Sequence, residues 1–274
     1  MIADHDRSTA PSDPAIPDVP NSLPVLSYLA IRRAIGWSGL ALPVVLGPIG
    51  YFGLGIELQD NMSRYYYTPL RDVFVGTLCA IGVFLFCYRG YGWIENWSAN
   101  LGAVGALGIA LFPIDPTGDP LYGSSGGPFD VSLDVIFDGR SLTGLIHSAG
   151  GALFFGTLAL YSLYHFPTRE HGDRDVAAHV AERNLVYYSS GITILLATTA
   201  MGIYLILPTD LKAPLDRWHF LFWGEWVAVW AFASAWLAKG RMILSEIGIE
   251  IFAAGRRRLL GDADAKPRDA PTDP

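Results

Sequence analysis

Blocks of uninterrupted apolar sequence, separated by short polar connections, set the pattern of this chain. The cleanest follows a polar, tyrosine-rich stretch: after DNMSRYYYTPLRD (60–72) no charged residue occurs from Val73 to Cys87. With its flanks, that block approaches the roughly 20 residues a helix needs to cross a hydrocarbon core of about 30 Å. Comparable blocks cover about 34–55, 95–113, 141–165, 185–207 and 218–238, so the pattern predicts six spans with the second at about 70–88. The segment 23–31 (LPVLSYLAI) is apolar but too short to span, and is expected to lie along the interface. Pro43 and Pro48 are expected to kink the first span.

Charge fixes the orientation. The termini and the 89–94 and 167–184 connections hold 14 of the 19 Lys and Arg residues. The remainder are Arg64, Arg71, Arg140, Lys212 and Arg217. A bias of that kind marks the cytoplasmic loops, which predicts an all-α integral membrane protein, a six-transmembrane-helix bundle with both termini cytoplasmic. The Arg32–Arg33 pair reads as part of this anchor, and the connection 114–140, with Asp115, Asp119, Asp130, Asp134 and Asp138, then faces outward as a solvated loop. Domain organisation follows: a disordered tail over 1–22, rich in Pro, Asp and Ser, a transmembrane domain over 23–240, and a C-terminal cytoplasmic segment over 241–274, part helical and then disordered. No signal-peptide pattern precedes the first block.

Composition narrows the class. Half the residues (51%) are hydrophobic and only 16% are charged, against about 25% in soluble domains. Eight Trp, thirteen Tyr and fourteen Phe suit aromatic belts at two membrane interfaces, and Tyr65–Tyr67 read as part of one. No basic run with interleaved aromatics supports nucleic-acid binding. Cys79 and Cys87 lie about 12 Å apart along one helix, too far for a mutual disulfide. Small residues recur every fourth position at Ser98, Gly102, Ala106 and Ala110 and again at Ser148, Ala152 and Gly156. Such faces admit close helix approach, within one chain or between copies in a homo-oligomer.

Candidate chemistry gathers at the outer end. His147 lies about 9 Å into the fourth span and Glu225 about 10 Å into the sixth. Arg71 and Asp72 stand at the mouth of the second span and His219 at the mouth of the sixth. Ionisable groups at such depth are costly and mark sites, yet a buried Glu–His pair equally serves as glue between helices, and Arg71 and Asp72 equally serve as headgroup-facing anchors. Both readings stay open. No HExxH, GxSxG, Walker or dinucleotide motif is present. No metal site and no cofactor is expected, although His147, His219, Glu225 and Asp72 together offer enough ligands to keep a zinc hydrolase as an alternative.

YYYTPLRD (65–72), NLGAVGALGIALF (100–112), LIHSAG (145–150) and GEW (224–226) together resemble the six-span membrane family that includes the DRAM-type autophagy modulators, the Frag-type GPI-lipid remodelling proteins, the Sfk-type plasma-membrane proteins and uncharacterised bacterial relatives. The resemblance covers most of residues 33–239. It maps an acidic residue onto Asp72, a histidine onto His147 and a glutamate onto Glu225, and this chain differs in carrying Arg71 beside the acid. What the resemblance implies is a bacterial inner-membrane protein that handles or senses membrane lipid, without a defined reaction. The expected function is a non-enzymatic lipid binder with an outward pocket, Arg71 taking an acidic headgroup over a floor of His147 and Glu225. Alternatives are a lipid hydrolase or remodelling enzyme using His147 and Glu225, and a membrane scaffold.

Overall fold

The computed structural model describes residues 23–90, 92–115, 135–137, 140–167 and 180–240, and within them the chain is helical apart from one short ribbon. Six long helices are joined end to end: α1 (Leu23–Val44), α2 (Arg71–Cys87), α3 (Trp93–Leu111), α4 (Leu142–Leu160), α5 (Val180–Ile206) and, after a short helix α6 (Thr209–Asp216), α7 (Phe220–Lys239). A 3-10 helix (Met62–Tyr67) precedes α2. Val135–Phe137 (β1) and Arg140–Ser141 (β2) pair antiparallel just before α4. The expectations for the two terminal segments and for Asp119, Asp130, Asp134 and Asp138 lie outside the described residues.

Each long helix packs on its neighbours in the chain, and α7 returns to α1, closing a six-membered ring. Successive long helices run in opposite directions, so all their connections collect at two ends. One holds the 3-10 helix and is called here the tyrosine end; the other holds Arg32, Arg33 and Lys239 and is called the arginine end. Four helical stretches are long and apolar enough to cross a membrane: Leu29–Gly53, Leu142–His165, Ala181–Ile206 and Phe220–Lys239.

Two local departures have clear causes. The segment 23–31 does not lie apart; it is the first nine of the 22 residues of α1, and its one proline, Pro24, falls in the first turn, where a helix tolerates it. After Val44 the same rod widens into a π-helix over Val45–Gly53, with Pro48 inside it. Proline withholds its own N–H and crowds the carbonyl four residues back, and a wider turn relieves both. The kink expected at the two prolines is thus taken up as a change of helix type. Gly55, at φ 68°, then turns the chain into the loop.

The tightest helix contact is between α3 and α4. A methyl group built on Gly105 would stand 2.7 Å from the Phe154 backbone nitrogen and 2.8 Å from the Gly150 carbonyl oxygen. Ser98, Gly102, Ala106 and Ala110 are all buried, as the four-residue repeat predicts. On α4 the repeat faces away from the bundle: Ala152 and Gly156 are exposed, while His147, Gly150, Phe154 and Thr157 face inward. The bulk of Phe154 and the hydrogen bonds of His147 set the rotation of α4.

Candidate functional site

At the tyrosine end the loop between α1 and α2 folds inward. Asn61 caps the 3-10 helix, its Oδ1 accepting from the Arg64 backbone N–H at 2.9 Å, as Asn does at a helix start. Tyr65 (0% exposed) and Tyr66 (3%) are buried. They do not form a membrane-facing belt; their rings fill the bundle mouth, Tyr65 lying 6.1 Å from the Phe222 ring. Tyr65 Oη is buried without a hydrogen-bond partner among the described residues, and this burial pushes its pKa above the usual 10.

Two of the expected site residues hold this plug. Glu225 Oε2, on α7, accepts from the Met62 N–H at 2.5 Å. His147, on α4, has Nδ1 2.8 Å from the Phe112 carbonyl and Nε2 2.9 Å from Ser63 Oγ. Only a donor can face that carbonyl, so the neutral ring carries its proton on Nδ1 and accepts from Ser63 at Nε2. Glu225 and His147 therefore meet consecutive residues of the 3-10 helix, Met62 and Ser63, and each seats the loop on a different wall. Further fastenings run from Tyr67 Oη to the Ile114 carbonyl at 2.6 Å and from the Phe222 N–H to the Asp60 carbonyl at 3.0 Å.

The other three expected residues diverge. Arg71 donates to Tyr66 Oη at 2.5 Å and lies 4.2 Å from the centre of its ring, and so is tied to the plug. Asp72 is exposed in the first turn of α2, where a carboxylate complements the helix dipole. His219 precedes α7 with φ 49°, and its Nδ1 lies 3.6 Å from Asp60 Oδ1. The five residues consequently do not line one pocket.

A groove does open nearby. Gly47, Pro48 and Phe52 of the π-helix form one wall, and Phe222, Trp223 and Trp226 of α7 form the other, with His219 at one end. Its volume is about 420 Å³, within the range of small-ligand sites. Phe52 is 85% exposed and Trp223 half exposed, so the groove opens sideways from the bundle. Asp60 continues its polar rim, reaching Arg64 Nε at 3.8 Å.

Several contributors escaped the sequence reading. Ser63 and the Phe112 carbonyl carry no sequence signal of their own. Asp115, expected in a solvated loop, instead holds the N-cap of α4: Ser141 Oγ accepts from the Gly144 N–H at 3.0 Å and donates to the Asp115 carboxylate at 2.5 Å, which lies so close to Gly144 that a Cβ there would be 2.1 Å away. At the arginine end a second polar cluster is buried. Arg32 donates to Tyr88 Oη at 3.0 Å, Tyr88 donates to Glu95 at 3.0 Å, and Tyr161 donates to the Glu95 carbonyl at 2.6 Å. Arg32 and Arg33 also donate to the Lys239 and Gly240 carbonyls, and Lys239 to that of Phe166. Cations at helix C-termini satisfy open carbonyls and complement the dipole, and Arg32 does so from within the bundle. The sequence signal was the coincidence of Tyr88, Glu95, Tyr161 and Lys239 at the ends of apolar blocks.

Among the described residues, no three His, Cys, Asp or Glu side chains gather closely enough to hold a metal ion. No protein-family model, curated protein or solved structure matches this chain.

Proposed function

We propose that this chain is a six-span protein of the bacterial inner membrane, with cytoplasmic termini and the arginine end inward, that holds membrane lipid in the groove beside the tyrosine plug. Four helices have the length and apolarity to span. The alternation of the ring then carries α2, 17 residues or about 26 Å, and α3, 19 residues or about 28 Å, across the same slab. Exposed Phe52 and Trp218 at one end and Trp93 and Trp97 at the other correspond to two interfacial belts. This reading is in keeping with the resemblance to the DRAM, Frag and Sfk-type family.

The observation that carries the lipid assignment is the groove itself: apolar walls, aromatic rings, a sideways opening and a polar rim at one end. An acyl chain lies along such walls while its headgroup stays at the rim. The site expected from the sequence is thereby moved: His147 and Glu225 seat the plug, and His219 keeps a ligand-facing role. Native mass spectrometry of protein released gently from membranes tests the assignment. Wild type is expected to carry a lipid mass, and Leu58→Trp, which fills the groove from the loop side, is expected to lose it. A bare wild type would count against the assignment.

A hydrolase remains a second reading, because Ser63 and His147 have the contact of a nucleophile and its general base. Ser63 is only 7% exposed, so the plug must lift before a substrate arrives. Fluorophosphonate labelling that disappears in Ser63→Ala would support it; no labelling in lipid bilayers would retire it.

A further inference from the structure

The groove beside the plug is not equally open along its walls. Phe52 is 85% exposed and Trp223 half exposed at its lip, whereas Gly47, Phe222 (0%) and Trp226 (8%) are buried. These three therefore form its floor. A methyl group built on Gly47 would stand 2.8 Å from Trp226 Cζ3 and 3.0 Å from Phe222 Cζ, well inside the roughly 3.5–4.0 Å at which carbon atoms rest. Both rings lie directly on the backbone of the π-helix, which only a glycine leaves bare.

Neither ring has another place to go. Further along, α1 and α7 are held at close spacing: a Cβ on Gly36 would stand 2.7 Å from Leu237 and one on Gly39 3.1 Å from Phe232. Trp230 Nε1 also donates to the Leu40 carbonyl at 3.1 Å. The helices thus cannot part locally to admit a side chain at Gly47. Along α7, Trp226 is stacked on Trp223 at 5.2 Å and meets the Trp230 ring edge-on at 5.2 Å. Any group added to Gly47 must swing the Trp226 ring toward the one open side, the groove. The lining is otherwise apolar and aromatic up to His219 at its end, and such a wall gains from contact with a hydrocarbon chain whatever headgroup the chain carries.

We propose that Gly47 is the specificity-determining residue of this groove: its missing side chain seats Trp226 and Phe222 against the π-helix and so gives the groove the depth to take an acyl chain. The inference rests on the lipid-groove reading and adds where its selectivity resides. The chain lies over Trp226 and Phe222, and selection is made on the chain, by depth, with headgroups of different charge accepted alike.

The test uses the full chain in neutral detergent and native mass spectrometry, with dioleoyl phosphatidylglycerol and dioleoyl phosphatidylcholine as probes of equal chains and unequal headgroup charge. Wild type is expected to bind both, with affinities within about threefold of each other. Gly47→Ala is expected to bind either lipid about tenfold more weakly, the scale of one overpacked methyl group. Gly47→Ala/Trp226→Phe removes the ring edge that the methyl meets and is expected to recover wild-type binding. Gly53→Ala, on the same π-helix with only Ile49 nearby at 3.8 Å, is the control and should behave as wild type. Full binding by Gly47→Ala would overturn the proposal and leave the lipid groove standing. A loss that the double variant does not recover would overturn it too, since damage to the fold would then explain the loss. A Gly47→Ala chain that fails to accumulate shifts the decision to the double variant, where wild-type binding supports the proposal and a bare chain overturns it. A preference of about tenfold for one headgroup would overturn selection by the chain. Binding of neither lipid by wild type would remove the groove reading itself.

Discussion

His147 shows how a buried polar residue in this fold is used. Both ring nitrogens are occupied, one by a backbone carbonyl of α3 and one by a serine of the plug. His147→Ala would leave the Phe112 carbonyl and Ser63 without these partners, at a cost on the order of 1–3 kcal/mol for buried groups. The expected result is a clear drop in the midpoint of thermal unfolding in detergent; an unchanged midpoint would contradict the clamp. Glu225→Gln should behave differently, because a Gln oxygen still accepts from the Met62 N–H. Its loss is expected to stay within about 1 kcal/mol, while Glu225→Ala loses the contact altogether. Tyr65→Phe tests the opposite sign. It deletes a buried hydroxyl that has no hydrogen-bond partner among the described residues, so stability should hold or rise. The raised pKa of that hydroxyl means that the unfolded chain releases its proton first. Its contribution is therefore present below pH ~10 and lost as pH rises through the folded value; Tyr65→Phe should blunt alkaline unfolding. The sequence marked His147 and Glu225 through their depth in apolar blocks. It did not reveal their partners, because a carbonyl such as that of Phe112 is present at every position and the rotation of a helix about its axis is not encoded in spacing alone.

At the scale of elements, the apolar blocks and their order were readable, and the junctions were not. The six long helices match the six predicted blocks within a few residues, except that α1 absorbs 23–31 and α5 begins at Val180, earlier than 185. The π-turn at Pro48 and the 3-10 plug depend on contacts between distant segments, such as Phe222 with Asp60 and Tyr65 with Phe222, and so lay beyond a local reading. Spacing alone also left open which way a small-residue repeat points: the one on α3 faces the core, and the one on α4 faces away. This difference makes a paired experiment. Gly105→Leu drives a side chain into the backbone of α4 and is expected to abolish accumulation of folded protein, whereas Gly156→Leu, with open space around it, should leave the monomer's thermal midpoint intact. A large loss at Gly156 would mean that the outward face is an interface between copies.

The whole molecule is a ring of helices fastened differently at its two ends. The arginine end is closed by cations on helix C-termini, Arg32 on Lys239 and Lys239 on Phe166. The tyrosine end is closed by a folded loop that leaves a groove at its side. Sorting Lys and Arg by connection gave an inside and an outside before any packing was visible, and single cysteines test that orientation: an impermeant maleimide applied to intact cells is expected to label Cys at Asp210 and not at Gly92. Reversed labelling would invert the protein. What occupies the groove between Pro48 and Trp223 decides the lipid assignment, and density from electron cryomicroscopy of the chain in bilayer nanodiscs addresses that most directly. A rod of non-protein density between the π-helix and α7, ending beside His219, is the expected result. A groove collapsed onto its own side chains, with lipid density no more ordered there than elsewhere around the ring, would contradict it.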